Sequence, residues 1–127
     1  MFFRKKVVGI ALSGGGSRGV AHLGVLKAFE ELGVNIQVIS GTSAGSIAAA
    51  LFASGMSTED IYKTMKDKKF IDYAKIILPT DGLMNLDNLR KNLNDILKKK
   101  DFNEMSKKLY IALTNQIGRA SCRERVY

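Results

Sequence analysis

Residues 38–46 read VISGTSAGS, which delivers Ser43 from a short apolar run into a turn flanked by Gly41 and Gly45, with Thr42 and Ala44 between. The pattern G-x-S-x-G is a nucleophile elbow when a strand precedes it and a helix follows. The requirement is steric. A serine at the tip of a sharp strand-to-helix turn takes strained backbone angles, and neighbouring chain comes so close that Gly41 and Gly45 have no room for a Cβ. Ser43 would face the start of the next helix, whose N–H groups and dipole favour negative charge on an attacking oxygen. Taken alone, the same pattern equally describes a serine that caps a helix. Serine hydrolases usually recruit a histidine, and the single histidine, His22, lies upstream of Ser43.

A second block, SGGGSRG at 13–19, satisfies G-x-G-x-x-G through Gly14, Gly16 and Gly19. A dinucleotide site of that kind expects an acidic residue about 20 positions on, at the end of the second strand. Ile39, Ser40 and Gly41 stand there instead. A Walker A loop also fails, since no Gly-Lys-Ser/Thr follows. Consecutive glycines before a helix have another use: Gly15 and Gly16 can turn their N–H groups toward one point, and the helix adds its dipole, which describes an oxyanion hole. Arg18 either braces this loop or attracts an anionic headgroup, and the bracing role is preferred.

The elements that must position these residues are legible in the hydrophobic pattern. VVGIAL at 7–12 reads as a buried parallel strand feeding the glycine turn. Over 18–32, Val20, Leu23, Leu26, Phe29 and Leu32 recur at helical spacing, and Gly33 is a natural helix end. NIQVIS at 35–40 reads as a second strand. AGSIAAALFAS at 44–54 is apolar all round, as in a buried helix closed by Gly55. This order of strand, loop, helix, strand, turn and helix implies a parallel sheet with right-handed crossovers. The two motifs then fall at the carboxyl ends of successive strands, where open α/β sheets build their sites.

Downstream, Ser57 and Asp60 resemble a capping box that opens a short helix. ILPTDGLMN at 77–85 reads as a loop. Asn85 or Asp87 can cap a helix with Leu86, Leu89, Leu93 and Leu97 on one face, and KLYIALT at 108–114 reads as a third strand. The last residues, IGRASCRERVY from Ile117, resemble the codon-for-codon translation of a common sequencing-adapter oligonucleotide. We expect 117–127 to be a non-native tail and leave it out of fold reasoning; a real basic tail is the alternative.

The composition, 46% hydrophobic and 25% charged over 127 residues, is that of an ordinary globular protein. No apolar run approaches the ~18 residues of a membrane-spanning helix, and no cleavable leader follows the basic start. One cysteine, Cys122, excludes an internal disulfide framework. A soluble cytoplasmic protein with peripheral membrane contact is expected. The net charge of +8 raises nucleic-acid and anionic-membrane readings. The lysines alternate with acids and apolar residues at helical spacing, however, so solvated helix faces are favoured over an anion-binding surface, and nucleic acid is not expected as a partner. Weak docking on acidic lipid headgroups stays open.

In this order and spacing, GIALSGGGSRGVAHLGVLKAFEELGV and ISGTSAGSIAAALFASG resemble the glycine-rich oxyanion block and the nucleophile block of patatin-like phospholipases, with agreement over residues 7–115. The resemblance implies a three-layer α/β fold with a parallel sheet, truncated here after about the third strand, in which 1–116 is the N-terminal portion. It implies a lipid acyl hydrolase of phospholipase A or esterase type that works through a Ser-Asp dyad, without catalytic histidine, calcium, metal or other cofactor. Ser43 would be the nucleophile. Gly14, Gly15, Gly16, Arg18 and Gly19 would belong to the oxyanion block, Gly41, Thr42, Ala44 and Gly45 to the elbow, and His22 would have no proton-transfer role. The family's aspartate stands in an Asp-Gly-Gly or Asp-Gly-Ala motif well beyond the third strand. Here the only Asp-Gly pair, Asp81-Gly82, is followed by Leu83 and is assigned to a turn. The dyad aspartate is therefore expected to be missing from this chain, which should expose a sheet edge, dissolve poorly and show little activity. Two other classes compete: a non-catalytic lipid-binding or membrane-docking module on the same scaffold, and a nucleotide-binding α/β domain.

Overall fold

The computed structural model describes residues 7–67, 87–98 and 101–113. Its centre is a parallel sheet in the order β1-β2-β3. β1 (Val8–Leu12) pairs with β2 (Ile36–Gly41) from Val8 opposite Ile36 to Leu12 opposite Gly41. β3 (Lys108–Ile111) pairs with β2 from Val38 opposite Lys108 to Gly41 opposite Ile111. The Ala112 N–H, bonded to Gly41 O at 3.1 Å, carries this pairing one residue past β3.

Parallel neighbours require crossovers, and helices supply them. α1 (Ala21–Glu31) lies between β1 and β2, and α2 (Ala44–Ala53) follows β2 after a two-residue turn. The sequence places one helix over 18–32. Instead, its entry is a tighter 3-10 turn, Gly16–Val20, started by Gly16 at φ 55°. Leu23 and Leu26 of the expected apolar face are buried and Phe29 is half-buried, but Val20 and Leu32 are exposed at the two ends.

α2 packs closely because it is built of small residues: Ala48, Ala49 and Ala53 are buried beside Leu51 and Phe52. Alanine is also the best helix former, so local preference and burial agree. Its last carbonyls find donors from outside the helix as well as from within. Ala53 O accepts both the N–H and the hydroxyl of Ser106 at 2.8 Å, which ties α2 to the segment entering β3. α3 (Thr58–Lys66) starts at Ser57, whose Oγ accepts the Asp60 N–H at 3.2 Å and donates to Asp60 Oδ2 at 2.7 Å. The full capping box closes not at Ser57 but at Asp101 and Glu104, just before β3.

Leu26, Ile39, Leu51 and Ile61 are the largest fully buried side chains, one each from α1, β2, α2 and α3. α4 (Asp87–Leu97) lays Leu89, Leu93, Ile96 and Leu97 against that core. β2 is buried at both ends, as a central parallel strand should be, but β1 alternates. Its core-facing positions end in buried Leu12, while Gly9 and Ala11 on the other face are exposed. The uniform burial expected of β1 therefore does not hold: among the described residues β1 is a margin of the sheet, and its alternate positions are exposed. On α3, Lys63 lies 3.7 Å from Glu59 and 4.0 Å from Asp60, on a solvated face. No helix among the described residues is long and apolar enough to cross a membrane. Asn85, Leu86, the Asp81-Gly82 turn and the tail from Ile117 lie outside the described residues.

Candidate active site at the strand ends

Ser43 stands directly after β2 and directly before α2, with backbone angles φ 51° and ψ −125°. A non-glycine residue adopts this region only when its surroundings force it. The forcing atoms are identifiable. A Cβ on Gly41 would fall among the backbone atoms of Gly45 and Ser46, and one on Gly45 would strike the carbonyls of Leu12 and Ser13 at the end of β1. The two glycines thus let the turn fold back on itself and let its far side press against the neighbouring strand. Backbone bonds complete the turn: Thr42 N–H to Leu12 O at 3.1 Å, Gly45 N–H to Thr42 O at 3.0 Å and Ser46 N–H to Ser43 O at 2.9 Å.

The competing role for Ser43 is a helix cap. It does occupy the N-cap position of α2, but its hydroxyl makes no capping hydrogen bond. A capping serine also normally has extended backbone angles, as Ser57 does at φ −67°, ψ 151°. Ser43 is exposed, as is Thr42, while Ala44 is half-buried and Gly45 buried.

The glycine block meets this turn from the adjacent strand. A Cβ on Gly14 would lie 3.2 Å from Ser43 Cβ and 3.9 Å from Ser43 Oγ, so Gly14 sits against the serine. Gly19 is buried and packs on Ala44, where an added Cβ would lie 2.7 Å from Ala44 Cβ. Between them, Gly14, Gly15 and Gly16 are exposed, Gly16 is left-handed, and the Arg18 N–H donates to Gly15 O at 3.1 Å. The opening N–H groups of a helical turn have no partner within it, so the Gly16–Val20 turn begins with N–H groups that lack helical partners. Arg18 is exposed.

One contact was not foreseen from the sequence. The Nε2 of His22, in the first turn of α1, lies 2.7 Å from the Ser13 carbonyl. A separation of nine residues across a glycine loop leaves no periodic signal that could have announced it. Among the described residues no carboxylate hydrogen-bonds to Ser43, and none form a cluster that could hold a metal ion. Two open cavities lie elsewhere. One of about 550 Å³ borders the opposite ends of β2 and β3, lined by Ile36, Met105 and Leu109, and one of about 470 Å³ lies between α1 and α3. Ser43 itself is exposed at the strand ends.

A parallel sheet that presents a strained serine turn beside a glycine loop, both at the carboxyl ends of neighbouring strands, defines an α/β chain of the serine-elbow class. The patatin-like phospholipase model matches residues 10–125, and the chain belongs to that family. Over 61 residues, 48% of its length, it is 49% identical to the lysophospholipase NTE1 of Coccidioides immitis (strain RS). Over stretches of the same length it is 46% identical to the lysophospholipase nte1 of Aspergillus fumigatus and 44% identical to the lysophospholipase NTE1 of Saccharomyces cerevisiae. The matched stretch is 4% of each of these relatives.

Proposed function

We propose that this chain carries the nucleophile and oxyanion half of a lipid acyl hydrolase of phospholipase A or esterase type. The observation that carries the reading is Ser43: exposed, held at φ 51° and ψ −125°, without a capping bond, and flanked by Gly14. Membership of the patatin-like phospholipase family and the lysophospholipase relatives support a glycerolipid or lysophospholipid ester as substrate. In the proposed reaction an aspartate outside residues 1–116 takes the proton of Ser43 as Oγ attacks the ester carbonyl. The tetrahedral oxyanion is held by N–H groups of Gly14, Gly15 and Gly16, a kind of contact worth about 3 to 4 kcal/mol per donor. Collapse expels the alcohol, which receives the proton, and water then attacks the acyl-serine to release the fatty acid and restore Ser43. Arg18 braces the loop, the substrate brings the site to a membrane surface only transiently, and the protein is cytoplasmic.

The test compares the full-length protein with its Ser43→Ala variant on a long-chain p-nitrophenyl ester and on a lysophospholipid. Turnover should disappear in the variant, and turnover that persists unchanged overturns the reading. The 127-residue chain alone should be inactive. Hydrolysis by that chain which Ser43→Ala abolishes would show that Asp81 or another of its own carboxylates serves as the base. Salt-sensitive liposome binding without turnover in the full-length protein would favour the non-catalytic lipid-binding module instead.

A further inference from the structure

We infer that His22 is a positioning residue for the glycine loop: its ring N–H holds the Ser13 carbonyl and so fixes the direction of the Gly14 N–H beside Ser43. This rests on the serine-hydrolase reading above. The argument begins with the chain leaving β1. Leu12 is anchored, since its carbonyl accepts the Thr42 N–H at 3.1 Å. Three glycines then follow Ser13, and glycine has the widest choice of backbone angles of any residue. Left to itself, such a segment would spread its N–H groups over many directions. Donors to an oxyanion help catalysis only when they are aimed before the charge develops.

Two bonds remove that freedom. At the rear the Arg18 N–H closes on Gly15 O at 3.1 Å. At the front His22 Nε2 lies 2.7 Å from Ser13 O. A carbonyl can only accept, so Nε2 carries the hydrogen and donates it. The peptide that follows is planar and trans, with its C=O and N–H pointing opposite ways. Fixing the Ser13 carbonyl on one side therefore fixes the Gly14 N–H on the other. Gly14 is also the loop residue that touches the nucleophile, with its Cβ position 3.2 Å from Ser43 Cβ. The peptide that His22 grips is thus the one adjoining the reacting hydroxyl. In this role the imidazole shuttles no proton. It acts through the backbone, and a side chain with an N–H at the same reach can replace it.

The test uses His22→Leu, which removes the donor, and His22→Gln, whose terminal amide can reach the same carbonyl. In the full-length protein His22→Leu should lower kcat about a hundredfold, the scale of a misplaced catalytic contact, with KM changed less than about twofold; His22→Gln should recover most of the loss. A second readout needs no turnover. In glycine-selectively 15N-labelled protein, His22→Leu should drop the order parameter of the Gly14 amide from about 0.85 toward 0.6 or below, and His22→Gln should retain it. An unchanged kcat in folded His22→Leu, or unchanged order at Gly14, overturns the proposal. Activity that survives Ser43→Ala sinks the hydrolase reading and with it the proposed catalytic role of His22, whatever the order at Gly14.

Discussion

The contact between Gly19 and Ala44 offers a quantitative test of how the glycine loop and the serine turn are joined. A Cβ built on Gly19 lies 2.7 Å from the Ala44 Cβ, whereas carbon atoms rest about 3.5 to 4.0 Å apart. Gly19→Ala must therefore push the loop and the start of α2 apart by about 1 Å. Overpacking of this kind in a buried contact costs about 1 to 3 kcal/mol. The same shift changes the spacing between Gly14 and Ser43, so on the proposed hydrolase reading turnover by the full-length protein should fall about a hundredfold, the scale of a ~1 Å misplacement. The geometry also specifies the cure. With the Ala44 Cβ removed, the nearest atoms to the new methyl are the Ala44 carbonyl carbon at 3.6 Å and Cα at 3.7 Å, both ordinary contacts. Ala44→Gly by itself should cost up to about 1 kcal/mol through lost helix preference. The double variant should then be more stable than the sum of the single changes, with a favourable coupling of about 1 to 2 kcal/mol. Urea denaturation followed by far-ultraviolet circular dichroism is the assay, because the chain has no tryptophan. Strict additivity, or a Gly19→Ala chain as stable as the parent, would refute the packing argument.

Two further outcomes follow from single observations. The positive φ of Ser43 should cost about 1 to 3 kcal/mol in a residue that carries a Cβ. Ser43→Gly should therefore raise the urea midpoint while Ser43→Ala does not, and equal midpoints would mean that the turn stores no strain. Thr58 is 4% exposed and donates its hydroxyl to Glu30 Oε2 at 2.5 Å, joining α3 to α1. Thr58→Val should lose about 1.5 to 3 kcal/mol, as expected for a hydrogen bond to a charged acceptor, and a thermal midpoint unchanged by the substitution would show the bond to be dispensable.

Much of the fold was legible because periodicity and glycine placement are local properties. The strand at 7–12, the strand at 35–40 and the helix at 44–54 each appear within one residue of the expected bounds at either end. Their order alone implies parallel pairing, since two-residue hairpins are unavailable to strands separated by helices. The ends were less legible. The first turn of the helix expected over 18–32 is wound as a 3-10 turn, and Val20 and Leu32 of its apolar face are exposed. Both depend on what lies opposite them, and sequence spacing carries no information about that.

Residue type and order alone place Ser43 in a glycine-flanked turn after a strand and before a helix, and put a glycine loop before the first helix. These are chain-local facts, set by residue type and order. Order and spacing leave open whether Ser43 caps a helix or forms an elbow and what His22 touches, and the family resemblance groups Gly19 with the oxyanion block without indicating that it packs on Ala44. The contacts that bear on these points come from distant segments: the carbonyls of Leu12 and Ser13 against Gly45, Ala44 against Gly19, and the His22 ring against Ser13. The physical reason is the same in all three cases. Whether a backbone angle is strained, a Cβ excluded or a carbonyl held depends on atoms from another part of the chain, and pairing β1 beside β2 is what puts those atoms there.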